Sequence, residues 1–180
     1  NITQWKQEAE SAGITNGNIT DCVTSLGPGK IVGNVIFNNS CNATIRAPLW
    51  ITGNFSLNNS NILRLDAQYG TSSGVIIVDG LSNLNNSNMI LGTGVGSSIL
   101  TLVSTYDSRT NGIAAIAVNN SGNTAVLYAN YGIIEPGNSN SFKEITAWGI
   151  RLSNSSIITY ETGLASTLFS SGPSGSFSLV

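Results

Sequence analysis

Glu144 has Lys143 beside it, and Tyr160 and Glu161 lie about one repeat further on; this is the one polar cluster dense enough to consider for carboxylate catalysis. Two carboxylates roughly 5 to 9.5 Å apart are what hydrolysis of a glycosidic bond requires. Asp66 and Glu161 occupy equivalent repeat positions but lie several repeats apart, too far to cooperate. The Glu144 cluster fits a solvated outer face with a cross-strand ion pair better than a catalytic centre. Histidine is absent, which removes imidazole bases, Ser-His nucleophile pairs and His-ligated zinc. Cys 2 is too few for a thiolate zinc site. Asp79 and Asp107 stand alone, and no Asp-rich run offers the oxygen ligands of calcium. Gly92-Thr93-Gly94-Val95-Gly96 has the glycine density of a phosphate loop but lacks the following Lys-Ser/Thr and a βαβ setting, so a flexible loop is expected. Threonines are scattered, without the flat Thr-x-Thr array of ice-binding solenoids. The expectation is therefore no catalytic residue, no metal and no cofactor.

Composition narrows the class further. Of 180 residues, Lys+Arg 7 and Asp+Glu 9 leave a net charge of −2, and charged residues are 9% of the chain. Seven scattered basic residues cannot build a phosphate-binding groove, so nucleic acid is excluded as a partner. Hydrophobic residues at 41% suffice for one sizeable core. Asn, Ser, Thr and Gly replace the missing charge, which favours turns over helices and an all-β, extracellular chain. No apolar run is long enough to span a bilayer. The chain opens at Asn1 without a signal segment, which reads as a mature or trimmed form. Cys22 and Cys41 read most simply as one disulfide of an oxidising compartment; the alternative is two unrelated buried thiols.

Whatever these residues do, a repeat must position them. Gly33 to Ser40 matches Gly53 to Ser60 position for position, and the template recurs at Gly80 to Ser87, Ala114 to Ser121, Gly132 to Ser139 and Trp148 to Ser155. Each copy ends in Asn-Ser, at Asn39, Asn59, Asn86, Asn120, Asn138 and Asn154. Ahead of the dipeptide runs a mostly apolar column, Phe37, Leu57, Leu84, Val118, Pro136 and Leu152. Two residues earlier runs another, Val35, Phe55, Ser82, Ile116, Ile134 and Ile150. Beyond the turn comes a third: Ala43, Leu63, Ile90, Thr124, Phe142 and Ile158. A period of two marks strands with one buried face.

Successive Asn lie 20, 27, 34, 18 and 16 residues apart, and the shorter intervals suit one turn of a solenoid. The fold predicted is all-β: a single-domain, right-handed parallel β-helix of about six to seven coils, roughly 30 Å long at the interstrand spacing. The Asn would form a structural ladder, taking the left-handed corner conformation and bonding amide to amide between coils. Longer intervals would bulge out as loops at 66–74, 92–98 and 104–112; alternatively, the 34-residue interval holds two coils. Asn1 to Ala12 is the one convincing helix, with Trp5, Ala9 and Ala12 on one face and Gly13 as its stop, and it is expected to cap the open N-terminal end. The organisation expected is a helix and capping segment at 1–29, the β-helix at 30–169 and a C-terminal return at 170–180. Sequons begin at Asn1, Asn18, Asn38, Asn42, Asn54, Asn58, Asn85, Asn119 and Asn154, several as by-products of the Asn-Asn-Ser corner.

Several stretches carry a resemblance: Trp5 to Glu10, Ser25 to Asn34, Trp50 to Asn54, Ser72 to Gly80, Thr159 to Ala165 and Phe169 to Gly175. In these the chain resembles surface-exposed type IV pilin-like and minor-pilin-associated proteins of candidate-phyla (Patescibacteria-type) bacteria with a bactofilin-like β-helix domain. The resemblance covers nearly the whole chain and brings no catalytic residues. It implies cell-surface location and association with a pilus or envelope structure; the hydrophobic pilin helix is missing here. The function expected is a non-enzymatic, extracellular structural or adhesive module, with pilus or envelope proteins or cell-surface glycans as partners. Tyr69, Tyr106 and Arg109 on the loops are the expected contact residues, since Tyr and Arg anchor interfaces; Trp50 and Trp148 are expected to pack. Two alternatives are a self-polymerising, bactofilin-like filament subunit and a carbohydrate-active enzyme.

Overall fold

A computed structural model describes residues 1–120, 123–138, 140–152, 168–170 and 176–178. One helix, α1 (Ile2–Ala12), precedes a run of strands. These are β1 (Ile14–Asn16), β2 (Ser25–Leu26), β3 (Gly29–Val32), β4 (Val35–Phe37), β5 (Asn42–Ile45), β6 (Leu49–Ile51), β7 (Phe55–Leu57) and β8 (Ile62–Leu65). There follow β9 (Gly74–Val78), β10 (Ser82–Asn85), β11 (Met89–Leu91), β12 (Leu100–Ser104), β13 (Ala114–Asn119), β14 (Asn123–Pro136) and β15 (Ser141–Ile150). All fifteen join one parallel, curled, solenoid-like sheet. A separate antiparallel hairpin joins β16 (Leu168–Ser170) to β17 (Ser176–Ser178).

The chain visits three ladders in turn. One runs β1-β3-β6-β9-β12, the second β4-β7-β10-β13, the third β2-β5-β8-β11. All three meet on β14, whose 14 residues pair with β11, β12 and β13 along their length and with β15 on the other side. Parallel neighbours cannot be joined by a tight hairpin; here each strand's neighbour arrives only after the chain has passed the other two faces.

The repeat alignment and the register agree at every described position. Phe37, Leu57, Leu84, Val118 and Pro136 lie opposite one another in series. So do Val35, Phe55, Ser82, Ile116, Ile134 and Ile150, and Ala43, Leu63, Ile90, Thr124 and Phe142. Phe37, Phe55, Leu57 and Leu84 are almost wholly removed from water, each burial contributing about 1.5–3 kcal/mol. Ile150, at the end of β15, is 46% and Leu152, just beyond it, 61% exposed. Trp148, expected to pack, is 55% exposed on β15. Ile158 lies outside the described residues.

The 34-residue interval holds one circuit, not two: β10 pairs directly with β13, Asn85 opposite Asn119. Its excess length is taken up by the two predicted loops at 92–98 and 104–112, and 66–73 forms the third around a 3-10 turn at Ala67–Tyr69. These loops occupy two of the three corners. The Asn-Ser corner carries no insertion. Gly53 marks another tight place, since a Cβ there would stand 2.6 Å from the Gly33 carbonyl oxygen, and Gly80 repeats this against Gly53. Only glycine lets the backbones stack so closely.

The helix does not cap the end of the stack. It lies along the outer face of the first ladder, where Ile2 and Trp5 pack on Val75, Ile77 and Val103, and Ala9 is buried near Gly29 at the other end. An 11-residue helix is about 16 Å long, enough to cross roughly three interstrand spacings. The cause is on the strands. β9 and β12 are buried at every position, so their outward residues need cover as much as their inward ones. The packed stripe is accordingly half-buried Ile2 and Trp5 with buried Ala9, while Ala12 is exposed. After α1 the chain enters β1, which pairs with β3, so the stack begins at Ile14.

Candidate functional site

The side chains capable of recognition or chemistry fall into four groups: the asparagine stacks, the face beneath α1, the loop residues and the Glu144 segment.

Asparagine stacks come first because they are continuous. The predicted ladder is present: Asn59 Nδ2 donates to Asn39 Oδ1 (3.1 Å), Asn86 to Asn59 (2.9 Å), Asn120 to Asn86 (3.0 Å) and Asn138 to Asn120 (3.1 Å). Asn154 lies outside the described residues. The left-handed corner is shared between the two residues of the dipeptide. Ser40 (φ 49°) and Ser60 (φ 53°) take it at the first two corners, and Asn86, Ser87 and Asn120 take it later. Beside this ladder runs a second, Asn38, Asn58, Asn85 and Asn119, which the alignment contains but which was not foreseen as a bonded column.

Two further asparagine columns lie at the corners. Asn61 and Asn88, 0% and 1% exposed, stand inside the corner. Asn88 Oδ1 accepts from the Asn61 backbone (2.9 Å) and amide (3.0 Å), and its Nδ2 donates to the carbonyls of Leu57 and Asn85. Asn61 Oδ1 in turn accepts from the Cys41 backbone, and Asn140 donates to the Val118 carbonyl. The sequence signal was there: Asn61, Asn88 and Asn140 each follow the corner Ser directly. At another corner the Asn18, Asn34 and Asn54 side chains each accept a backbone N–H from the strand above, at 2.7–2.9 Å.

The Cys22–Cys41 disulfide is formed, with Cα atoms 5.3 Å apart. It fastens the segment before β2 to the foot of the interior asparagine column.

Beneath α1, Asp79 gathers three donors: Lys6 Nζ (2.5 Å), the Thr105 hydroxyl (2.6 Å) and Trp50 Nε1 (2.9 Å). Lys30 and Lys6 flank the Trp50 ring at 4.1 and 5.0 Å, and Lys30 bonds Glu10 at 2.7 Å. The cluster resembles a site, but its two ion pairs, Lys6–Asp79 and Lys30–Glu10, tie α1 to the sheet, and Trp50 and Thr105 hold the Asp79 carboxylate in place for the first of them, so its work is attachment. Trp50 is packed, as expected.

Of the three expected contact residues, Tyr69 stands in the loop between β8 and β9, and Tyr106 and Arg109 share the loop between β12 and β13. The Tyr69 ring turns inward onto the core, its hydroxyl donating to the Ala47 carbonyl (2.7 Å) and accepting the Ala47 N–H (3.0 Å). Burial pushes its phenol pKa up. Tyr69 is thus a plug for its corner. Replacing it with Phe strands both Ala47 groups, and a loss of about 1–2 kcal/mol in a urea titration is expected. Tyr106 packs partly on the core, and its hydroxyl accepts from Asn111. Arg109 is exposed but grips Asp107 with two side-chain bonds (2.6 and 2.9 Å) and lies 4.3 Å over the Tyr131 ring.

The Arg109 side chain and then its backbone N–H hold the Asp107 carboxyl down at about 2. The depressed value means the charged interaction is complete above the ordinary carboxylate pKa, near 4, and lost as pH falls through about 2. Following the Asp107 carboxyl carbon by NMR should show a midpoint near 2 that returns towards 4 in Arg109→Gln; an unchanged midpoint in the variant would break the assignment. Asp66 is lowered by the same means, first by the Gln68 N–H and then by Arg46.

Of the Glu144 cluster, Tyr160 and Glu161 lie outside the described residues. Glu144 accepts the Thr146 hydroxyl at 3.1 Å. Among the described residues no group of three or more His, Cys, Asp or Glu could hold a metal ion, and no helix is long and apolar enough to cross a membrane. The chain matches no protein-family model, no curated protein and no solved structure.

Proposed function

We propose that this chain is a non-enzymatic architectural or adhesive module of the cell surface, held by a pilus or envelope structure. In this reading it is a parallel β-helix of about six to seven coils, right-handed as parallel crossovers almost always are. The observation that carries the proposal is where the polar side chains go. The asparagines bond to one another along the stack, and five cations are paired with Asp79, Glu10, Asp66, Asp107 and Glu135. Such groups hold a rod in shape rather than wait for a substrate. The disulfide suits an oxidising compartment. Antibody raised against the chain should label intact source cells as strongly as permeabilised ones. Labelling only after permeabilisation would overturn the surface role.

End-to-end assembly is a second reading, favoured by the N-terminal end of the stack. There β1 offers an unshared edge, Ile14 is 53% exposed, and an open cavity of about 360 Å³ lies between Ile19, Leu26, Ile31 and Leu49. Exposed edges are templates for pairing. Light scattering across a wide concentration range should then show growing mass, and a constant monomer mass would remove this reading.

A further inference from the structure

Three of the four arginines are engaged by carboxylates: Arg46 with Asp66, Arg109 with Asp107 and Arg151 with Glu135. Arg64 is the exception. Among the described residues no carboxylate lies within ion-pair distance of it, although the chain carries more acids than bases. Its place in the register is opposite Leu91 on the outward face of β8, directly beneath the glycine-rich loop that follows β11. Arg64 Nη1 lies 3.6 Å from where a Gly94 Cβ would stand, so the guanidinium reaches the glycine-rich loop at contact distance. Arg64, Gly92, Gly94, Gly96 and Lys143 line one cavity of about 250 Å³.

The loop over this cavity is braced rather than loose. The Thr93 hydroxyl donates to the Gly70 carbonyl (2.6 Å) and the Ser98 hydroxyl to the Ser72 carbonyl (2.7 Å), which stacks the loop on its predecessor. Within the loop the Thr93 N–H donates to Ser98 Oγ and the Val95 N–H to Thr93 Oγ1. Gly94 (φ 91°) and Gly96 (φ 58°) take left-handed conformations, and their N–H groups meet no acceptor among the described residues. Alternating backbone hands turn amide hydrogens towards a common concavity, which suits an anion.

We propose that this cavity is an oxyanion site, in which Arg64 and the Gly94 and Gly96 amides receive a sulfate or phosphate group. A guanidinium offers two parallel donors to such a group. The volume falls below the roughly 300–1,000 Å³ usual for whole organic ligands, so it fits one charged substituent. The inference goes beyond the surface-module reading and does not depend on it, because it requires only the corner geometry. The glycine motif lacks every partner of a nucleotide loop, yet the solenoid supplies it with a cation from the neighbouring strand.

The test is an amide NMR titration of the whole chain at constant ionic strength with three probes: sodium sulfate, sodium phosphate and a sulfated disaccharide. Saturable shifts confined to residues 92–98 and the Arg64 side chain are expected, with affinity falling at least tenfold in Arg64→Gln. A response to all three probes identifies the bare oxyanion as the ligand, and a response to the disaccharide alone identifies a glycan-borne group. The proposal falls if no probe gives a saturable shift in the loop, or if Arg64→Gln binds as the parent does. The unchanged remainder of the variant's spectrum reports that it is folded.

Discussion

Asn88→Ala should destabilise the folded chain by about 4 kcal/mol, more than any single exposed asparagine. The side chain is 1% exposed and serves the Asn61 backbone and side chain as acceptor and the Leu57 and Asn85 carbonyls as donor. Alanine takes this partner from the Asn61 N–H and the Leu57 and Asn85 carbonyls, while the Asn61 amide keeps only its longer bond to the Phe37 carbonyl (3.3 Å), and each buried group left without a partner costs about 1–3 kcal/mol before relaxation. Water could recover little of this, because apolar columns flank the site through Leu57, Leu84 and Ile90. The matched control is Asn59→Ala. Asn59 is exposed, and its two ladder bonds compete with solvent, so its loss should stay near or below 1 kcal/mol. Urea unfolding of both variants measures the difference. Equal losses would show that the exterior ladder, not the interior column, holds the corner.

Breaking the Cys22–Cys41 bond comes second. It closes a loop of sequence separation 19, for which chain entropy predicts about 3 kcal/mol. The effect should also be local. The bond fastens the terminal part of the stack, where β1 and β2 each have a neighbour on one side only. A Cys22→Ala, Cys41→Ala variant should therefore lose hydrogen-exchange protection first in β1, β2 and β3, while β6, β9 and β12 keep theirs until global unfolding. An unchanged urea midpoint, or loss that begins in β9 and β12, would contradict this account.

The repeat was readable because a solenoid turns a long-range contact into a local rule. Phe37, Leu57, Leu84 and Val118 touch across intervals of 20 to 34 residues, yet each sits at the same place relative to its own Asn-Ser. Aligning the copies is thus equivalent to stacking them. The same logic located the loops, because a coil that must land on its predecessor expels surplus residues. Trp148 and the α1 placement escaped it, since neither is decided within one repeat.

The sequence by itself determined the strand period, the three columns, the corner dipeptide and the existence of the first helix. Each depends on side-chain type at a fixed spacing. Tertiary structure alone decided that the helix lies along the flank, because only the assembled ladder shows Val75, Ile77 and Val103 sharing an outward face that needs cover. It also decided which asparagines are interior and which arginine has no carboxylate partner among the described residues. Those properties belong to pairs of distant groups, and no single repeat contains both members.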